Sequence, residues 1–225
     1  MTKFKTPTIV VNFKAYQEVD GEGSLRLAKI CEDVAKESGV NIAVCPPMVE
    51  LGTVARAVSI PVFSQNADPH APGSATGWIT ASMIRSTGSV GTLINHSEHR
   101  SDNRTIEESV ELIKAEDLIT IVCAESVRKA REVAAFSPDF IAVEPPELIG
   151  GDISVTTANP LIVEDTVSSV KDVNKKISVL CGAGVKTGKD VAKALELGAD
   201  GVLLASGVVK SKDPKATLQD LIKYI

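Results

Sequence analysis

The sequence predicts an α/β protein that folds as a single (β/α)₈ barrel over residues 1–225. Eight short apolar runs alternate with amphipathic segments, and the length and β-branched residues of most runs are typical of buried strands. No linker or change of composition divides the chain, so this alternation predicts βαβ units and a parallel sheet. The eight runs are Ile9–Phe13, Ile42–Cys45, Pro61–Phe63, Val90–Ile94, Ile119–Cys123, Phe140–Val143, Ile177–Cys181 and Gly201–Leu204.

An open, doubly wound sheet is the alternative arrangement of the same units, and the count of eight favours closure into a barrel. Hydrophobic residues make up 44% of the chain and charged residues 24%, which is an ordinary globular composition. Aromatic residues account for only 4%. The apolar content is therefore mainly aliphatic, which suits strands that are buried on both faces.

Charge and cysteine content narrow the class of protein. The net charge is −5 and no run of basic residues appears, which argues against a nucleic-acid partner. Cys31, Cys45, Cys123 and Cys181 form no C-x-x-C pair, so we expect buried thiols, no metal site and a cytoplasmic location. No apolar leader and no stretch of 18 apolar residues occurs, so no membrane partner is expected.

Capping signals mark several of the helices between the strands. Gly39 is expected to end the first helix, and Thr105-x-x-Glu108 is expected to open another as a capping box. Asn159-Pro160, Thr187-x-x-Asp190 and Asp213-Pro214 predict three further helix starts. In such a barrel the functional groups lie at the carboxyl ends of the strands, so the polar residues after each apolar run are the candidates for a site.

Asn12 and Lys14 lie at the end of the first run and directly after it. Alternate side chains of an extended chain point the same way, so an amide and an ammonium are expected to converge above the barrel. A strand end that simply becomes polar is the alternative explanation.

His96 follows the fourth run directly. Ser97 and Glu98 suit the first turn of a short helix, whose positive end would keep the imidazole of His96 neutral. A neutral imidazole can still donate a hydrogen bond to a carbonyl oxygen. A surface loop of mixed charge is the alternative.

Glu144 ends the sixth run, and a stiff segment with flexible ends follows it. Two prolines stiffen the beginning and two glycines free the far end, as expected of a lid that moves about hinges. A carboxylate under such a lid loses water, gains basicity and suits proton abstraction; a rigid turn with a solvated glutamate is the alternative. The lid is predicted to comprise Pro145, Pro146, Glu147, Leu148, Ile149, Gly150 and Gly151.

Small residues follow the last two runs. Cys181-Gly182-Ala183-Gly184 comes after the seventh, and Ala205-Ser206-Gly207 after the eighth, where a short helix Gly207–Lys210 is predicted. Small residues let backbone N–H groups approach a ligand, and these two loops with a short helix form the common phosphate site of such barrels.

Taken in order, these segments resemble the triosephosphate isomerase family over nearly the whole chain. The motifs are N-x-K at 12–14, N-H-S-E at 95–98, E-P to I-G at 144–150, and the two small-residue loops. P-P-E-L-I-G, L-C-G-A-G and L-L-A-S-G look like the compact archaeal form. The resemblance implies a TIM barrel that interconverts dihydroxyacetone phosphate and D-glyceraldehyde 3-phosphate, in glycolysis and gluconeogenesis, without cofactor or metal.

The resemblance also implies a role for individual residues. Glu144 would be the base, His96 the electrophile, and Lys14 and Asn12 would hold the substrate, with Glu98 in support. The loop 65–78 resembles the family's dimer loop, in which Thr76 would reach the neighbouring subunit, so a homodimer at least, and a homotetramer in the compact form, is expected. The N–H groups that would bind the phosphate lie near Ile149, Gly184, Ala205 and Ser206.

The chain departs from the family pattern in the lid and in the seventh loop. The lid reads P-P-E where P-V-W is usual and ends in G-G-D rather than G-T-G, and the seventh loop lacks the usual tyrosine and serine. Another phosphate-binding barrel enzyme is a rival: an epimerase would want metal ligands or a second acid, and an aldolase could use Lys14 as a Schiff-base lysine. A barrel that only binds or scaffolds is the second rival.

Overall fold

The computed structural model of the chain describes residues 4–145 and 155–225, and these form eight parallel strands in a nearly closed barrel with helices between them. The (β/α)₈ prediction is confirmed. The strands pair in the order β2-β1-β8-β7-β6-β5-β4-β3. Their bounds are β1 Thr8–Asn12, β2 Asn41–Cys45, β3 Phe63–Ser64, β4 Gly91–Ile94, β5 Ile119–Ala124, β6 Phe140–Val143, β7 Ser178–Gly182 and β8 Gly201–Leu204.

The gap between β2 and β3 is where the barrel closes. A single parallel bridge joins Val44 to Val62, and the Val44 N–H donates to the carbonyl of Pro61 at 3.1 Å. β3 pairs with β4 through only two residues, Phe63 and Ser64. Of the predicted run Pro61–Phe63, Pro61 and Val62 contact β2, and Phe63 pairs with β4.

The described part of the chain forms ten helices and one 3₁₀ turn, Gln17–Val19. The longest helices lie on the outside of the barrel, where each buries one apolar stripe. The helices are α1 Glu22–Ser38, α2 Leu51–Ala57, α3 Ala81–Ser86, α4 Asn103–Ala115, α5 Val127–Ala134, α6 Val155–Ala158, α7 Pro160–Val173, α8 Gly188–Glu196, α9 Ser206–Val209 and α10 Pro214–Leu221.

Most of the predicted helix ends are confirmed, and one is wrong. Gly39 ends α1 with φ 76°, and Thr187 and Asp190 form a full capping box at α8. The predicted box at Thr105-x-x-Glu108 does not open α4. Asp102 is the N-cap instead, and its carboxylate accepts the Thr105 N–H at 2.8 Å. Hydrogen bonds from Thr105 lower the pKa of Asp102, so the acidic cap placed three residues earlier determines where the helix starts.

Side chains alternate between the inside of the barrel and the layer under the helices. Aliphatic residues fill the interior, and Phe4 closes its amino-terminal end, with its ring centroid 5.2 Å from those of Phe63 and Phe140. The interior is therefore a packed core, and the chemistry is left to the opposite rim.

The four cysteines are free and buried, as predicted. Burial raises the pKa of Cys31 and of Cys181 to about 12. Burial also raises the pKa of Cys45, and that of Cys123, where the neighbouring charge of Glu144 adds to the effect. Desolvation favours the neutral thiol in each case.

A nearly buried carboxylate joins α1 to the connection between α2 and β3. Glu32 accepts hydrogen bonds from the Ser59 hydroxyl and the Ser59 N–H, both at 2.6 Å, and pairs with Lys36 at 3.0 Å. The hydroxyl, the N–H and the ammonium, in that order, lower the pKa of Glu32 from 4.5 to about 2. The folded structure is therefore stabilised by the charged form of the Glu32 carboxylate.

We expect Glu32→Gln to lower the free energy of unfolding by about 1–3 kcal/mol at pH 7, the usual effect of weakening a buried charge-assisted hydrogen bond. Because the folded-state pKa is depressed, this stabilisation is present above pH 4.5 and is lost as the pH falls towards 2. The free energies of unfolding of the two proteins, measured with urea between pH 2 and pH 7, should therefore converge at low pH. Glu22→Gln, on the exposed face of the same helix, is the control and should follow the wild type. A constant offset at every pH would contradict the linkage.

Candidate active site

The carboxyl-terminal rim of the barrel carries a cleft that includes Asn12, Lys14, His96 and Glu144, which the sequence had singled out from three separate strands. The cleft encloses about 510 Å³, counting the part that opens to solvent. Gly184, Ala205 and Ser206 line the same cleft. The full lining is Asn12, Lys14, Tyr16, His96, Glu144, Ala183, Gly184, Val185, Lys186, Leu203, Leu204, Ala205, Ser206 and Gly207.

A turn, rather than an extended chain, brings Asn12 and Lys14 to the cleft. β1 ends at Asn12, and Lys14 has φ 53°, so the expectation of alternate side chains along one strand is wrong. The Asn12 side-chain oxygen accepts the Lys14 N–H at 2.9 Å, and the amide of Gln65 donates to the Lys14 carbonyl at 2.9 Å. These two hydrogen bonds hold the left-handed residue in place.

Glu98 connects Lys14 to the histidine loop. Its carboxylate lies 2.8 Å from the Lys14 Nζ, and its second oxygen lies 3.7 Å from the His96 Nδ1. Glu98 thus contacts both His96 and Lys14, which lies 84 positions earlier in the sequence.

His96 is nearly buried, and a turn rather than a helix follows it. The His99 N–H donates to the His96 carbonyl at 2.7 Å, and the next helix begins only at Asn103, so the predicted short helix after His96 is wrong. The Glu98 N–H donates to the His96 Nδ1 at 3.2 Å. A ring nitrogen that accepts a hydrogen bond carries no proton, so the neutral imidazole holds its proton on Nε2.

Glu144 faces that proton. Its Oε1 lies 3.5 Å from the His96 Nε2, and its side chain is only 7% exposed. Within residues 4–145 and 155–225, Oε2 has no hydrogen-bond partner. A buried carboxylate oxygen without a partner is costly in a folded protein, so the barrel rim carries an unsatisfied acceptor at Glu144.

Reasoning from the sequence gave Asn95 no role of its own and assigned Gly182 only to the phosphate loop. Asn95, with φ 59°, donates to the Cys123 carbonyl at 2.8 Å and accepts the Ser101 N–H at 2.9 Å, which fixes the loop that carries His96. Gly182 lies against Glu144, because a Cβ at this position would come within 2.5 Å of the Glu144 Cγ. The N-H-S-E motif contains Asn95 and the small-residue loop contains Gly182, but no local pattern marks the contact of Gly182 with Glu144.

The small-residue loops adopt the expected form. Ala183 and Gly184 have φ 68° and 72°, and the predicted short helix is α9, which starts at Ser206. The first N–H groups of a helix have no acceptor within it, so Ser206 and Gly207 present theirs near the cleft. The remaining predicted ligand Ile149, and the predicted lid residues Pro146, Glu147, Leu148, Gly150 and Gly151, lie outside the described residues.

Thr76 is exposed on the loop between β3 and α3 and does not line the cleft of its own chain. Within the described ranges, no group of three or more His, Cys, Asp or Glu side chains is arranged to hold a metal ion. No helix in those ranges is long and apolar enough to cross a bilayer.

Comparison with known proteins agrees with the fold. The sequence model of the family described as triosephosphate isomerase matches residues 7–225. A triosephosphate isomerase of Methanocaldococcus jannaschii is 51% identical over 217 residues, which cover 96% of this chain and 99% of that protein. The corresponding protein of Methanothermus fervidus is 49% identical and covers 96% of this chain and 97% of its own length. The chain therefore belongs to the triosephosphate isomerase family.

Proposed function

We propose that this protein interconverts dihydroxyacetone phosphate and D-glyceraldehyde 3-phosphate with Glu144 as the base and His96 as the electrophile. Family membership carries the reaction, since relatives of about half-identical sequence along nearly the whole chain are named for it. The observation that carries the residue assignment is the 3.5 Å separation of Glu144 Oε1 from His96 Nε2 in the cleft. The reaction places the protein in glycolysis and gluconeogenesis.

Glu144 removes a proton from the carbon next to the substrate carbonyl, and the electrons of the broken C–H bond form an enediolate. The same carboxyl group returns the proton to the neighbouring carbon. His96 donates from Nε2 to the carbonyl oxygen and moves protons between the two substrate oxygens. This family is itself the standard example of a glutamate base paired with a neutral imidazole, so the chemical roles are carried over from it.

Lys14 and Asn12 act on the charge that develops during the reaction. A preformed ammonium in a water-poor cleft stabilises a developing oxyanion more than it would in water. The ion pair with Glu98 and the hydrogen bond from the Lys14 N–H to Asn12 support this role, because they fix the lysine before substrate arrives.

The phosphate group binds in the same cleft, on N–H groups near Gly184, Ala205, Ser206 and Ile149. The start of α9 provides amide donors and the positive end of a short helix there. The lid from Pro145 to Gly151 closes over the substrate, excludes water and prevents loss of phosphate from the enediolate.

Gly182 leaves the space that the base occupies. An added Cβ would approach the Glu144 Cγ to 2.5 Å and the Val143 carbonyl oxygen to 3.1 Å. Neither neighbour can retreat easily, because the carbonyl is backbone and the glutamate is enclosed. Gly182 is therefore a positioning residue for the base.

The protein is cytoplasmic and forms a homodimer at least, and a homotetramer as the full assembly. Thr76 of one chain lies near the site of another. The amide of Gln65 ties the base of the loop 65–78 to the carbonyls of Lys14 and Cys45, each at 2.9 Å. Trp78 at the end of this loop is 48% exposed, and Met83 on the following helix is 54% exposed. Apolar side chains exposed beside a long loop are typical of a subunit contact.

Purified protein should interconvert the two triose phosphates in a coupled assay, and Glu144→Asp should lower turnover by at least ~10²-fold. Aspartate keeps the carboxylate but retracts it by one methylene, and misplacement by about 1 Å costs that much. Binding of inorganic phosphate should be unchanged in this variant. Wild-type protein that leaves both triose phosphates untouched would contradict the proposal. Borohydride with dihydroxyacetone phosphate should leave Lys14 unmodified, whereas an aldolase would be trapped there.

Gly182→Ala should also lower turnover by about 10²-fold, because the new methyl group displaces the Glu144 side chain. Phosphate affinity should fall less than turnover, since the atom nearest to the added methyl group is the Glu144 Cγ. Steady-state kinetics and calorimetric titration with phosphate measure the two effects. Full activity in a folded Gly182→Ala protein would show that the glycine is not needed to position the base.

Light scattering at micromolar concentration should give a molar mass of at least two chains. Trp78→Lys should lower this mass by placing a charge in the contact, whereas Val173→Lys, on the exposed part of α7, should leave it unchanged. A single-chain mass for active wild-type protein would exclude the proposed sharing of Thr76.

A further inference from the structure

Tyr16 lines the cleft two residues after Lys14, and none of the roles derived above uses it. Its side chain is half-buried and packs against the hydrophobic core. The Lys210 Nζ lies over its ring, 4.3 Å from the ring centroid. An ammonium within about 6 Å of the centroid is attracted by the negative face of an aromatic ring. Lys210 and Tyr16 therefore form a cation–π contact at the wall of the cleft.

The backbone of Lys210 is fixed by the single turn of α9, which it follows directly. The Lys210 N–H donates to the Ser206 carbonyl at 3.0 Å, and the Val209 N–H donates to the Ala205 carbonyl at 3.0 Å. Val208 and Val209 are buried, which holds the turn against the barrel. Lys210 thus keeps a fixed position relative to Ala205 and Ser206, which line the cleft.

The loop after β1 is held by both strands that neighbour β1. On one side, the Phe13 N–H donates to the carbonyl of Cys45, the last residue of β2, at 3.0 Å. β1 lies between β2 and β8 in the barrel, and β8 leads directly into α9. The contact of Lys210 with Tyr16 therefore anchors the same loop, which carries Lys14, on its β8 side.

This contact joins two loops that act on one substrate in the proposed reaction. Lys14 stabilises the enediolate, and N–H groups near Ser206 bind the phosphate. A substrate that touches both loops needs them at one distance, and groups that are already in place bind more tightly because less freedom is lost on binding. The Lys210–Tyr16 contact restricts that distance, because each of its side chains belongs to one of the two loops.

We propose that the cation–π contact between Lys210 and Tyr16 sets the spacing between Lys14 and the phosphate-binding amides near Ser206, so that the cleft fits a triose phosphate. The inference rests on the proposed function. Lys210 and Tyr16 are positioning residues, which act through the two loops and take no part in the proton transfers. Their contact matters for a ligand that spans both loops and not for a ligand that needs only the phosphate-binding amides.

The test compares two ligands that do not react. 2-Phosphoglycolate spans both loops, because it carries a phosphate and a carboxylate that resembles the charge of the enediolate, whereas inorganic phosphate needs only the amides. Lys210→Met and Tyr16→Leu should each raise the Kd of 2-phosphoglycolate by about 2- to 5-fold, the usual effect of an exposed cation–π contact. The Kd of inorganic phosphate should be unchanged. The double variant should lose no more affinity than either single variant, because the contact is already absent in each.

Lys210→Arg and Tyr16→Phe keep the cation and the ring, and should bind both ligands as the wild type does. Lys212→Met removes the same charge from an exposed position two residues further along, and should also match the wild type. Calorimetric titration measures every Kd without turnover. Losses that multiply in the double variant would overturn the proposal, as would wild-type affinity for 2-phosphoglycolate in Lys210→Met or an equal loss of affinity for inorganic phosphate.

The two proposals can fail separately. Wild-type protein that left triose phosphates unchanged would refute the proposed function. The affinities of the single and double variants for 2-phosphoglycolate and inorganic phosphate would still decide whether Lys210 and Tyr16 set the spacing of the two loops.

Discussion

The common direction of eight hydrogen-bonded strands is the constraint on which the rest of this structure depends. Because every neighbouring pair is parallel, all carboxyl ends lie on one rim, and residues from β1, β4 and β6 meet there without long loops. The opposite end is filled by Phe4 and its aromatic neighbours. The barrel can therefore use one end for stability and the other for groups that a stable core would not tolerate, such as the buried carboxylate of Glu144.

Within that rim, a few hydrogen bonds link groups that must act together. Glu98 uses its N–H to set the proton position on His96 and its carboxylate to hold Lys14. Asn95 fixes the same loop to the carbonyl of Cys123, whose thiol neighbours Glu144. A change at Glu98 would consequently disturb the electrophile and the cation together, and a change at Asn95 would disturb the loop that carries the electrophile.

Strands and most helix ends could be predicted from the sequence because burial on both faces, β-branching and capping are local signals. The predictions that were wrong share a cause. Hydrogen bonds to other residues, near or distant in the sequence, outweigh the local signals there. Asp102 replaces Thr105 as the cap from only three residues away, and the left-handed Lys14 is held by Gln65, 51 positions later, whose amide donates a hydrogen bond to the Lys14 carbonyl. The sequence assigned Gly182 to the phosphate loop but could not predict the space it leaves for Glu144, because that side chain follows a different strand.

The burial of all four thiols has a practical consequence. Because burial raises the pKa of Cys31 and Cys181 to about 12, their thiols stay protonated at neutral pH, and all four cysteines are buried in the folded barrel. Alkylation must then wait for the chain to open around each cysteine. Because Cys31 lies on a helix and the other three on strands β2, β5 and β7, the order in which they become labelled would report which part of the barrel separates first. The four native cysteines can therefore serve as built-in probes of how the barrel unfolds.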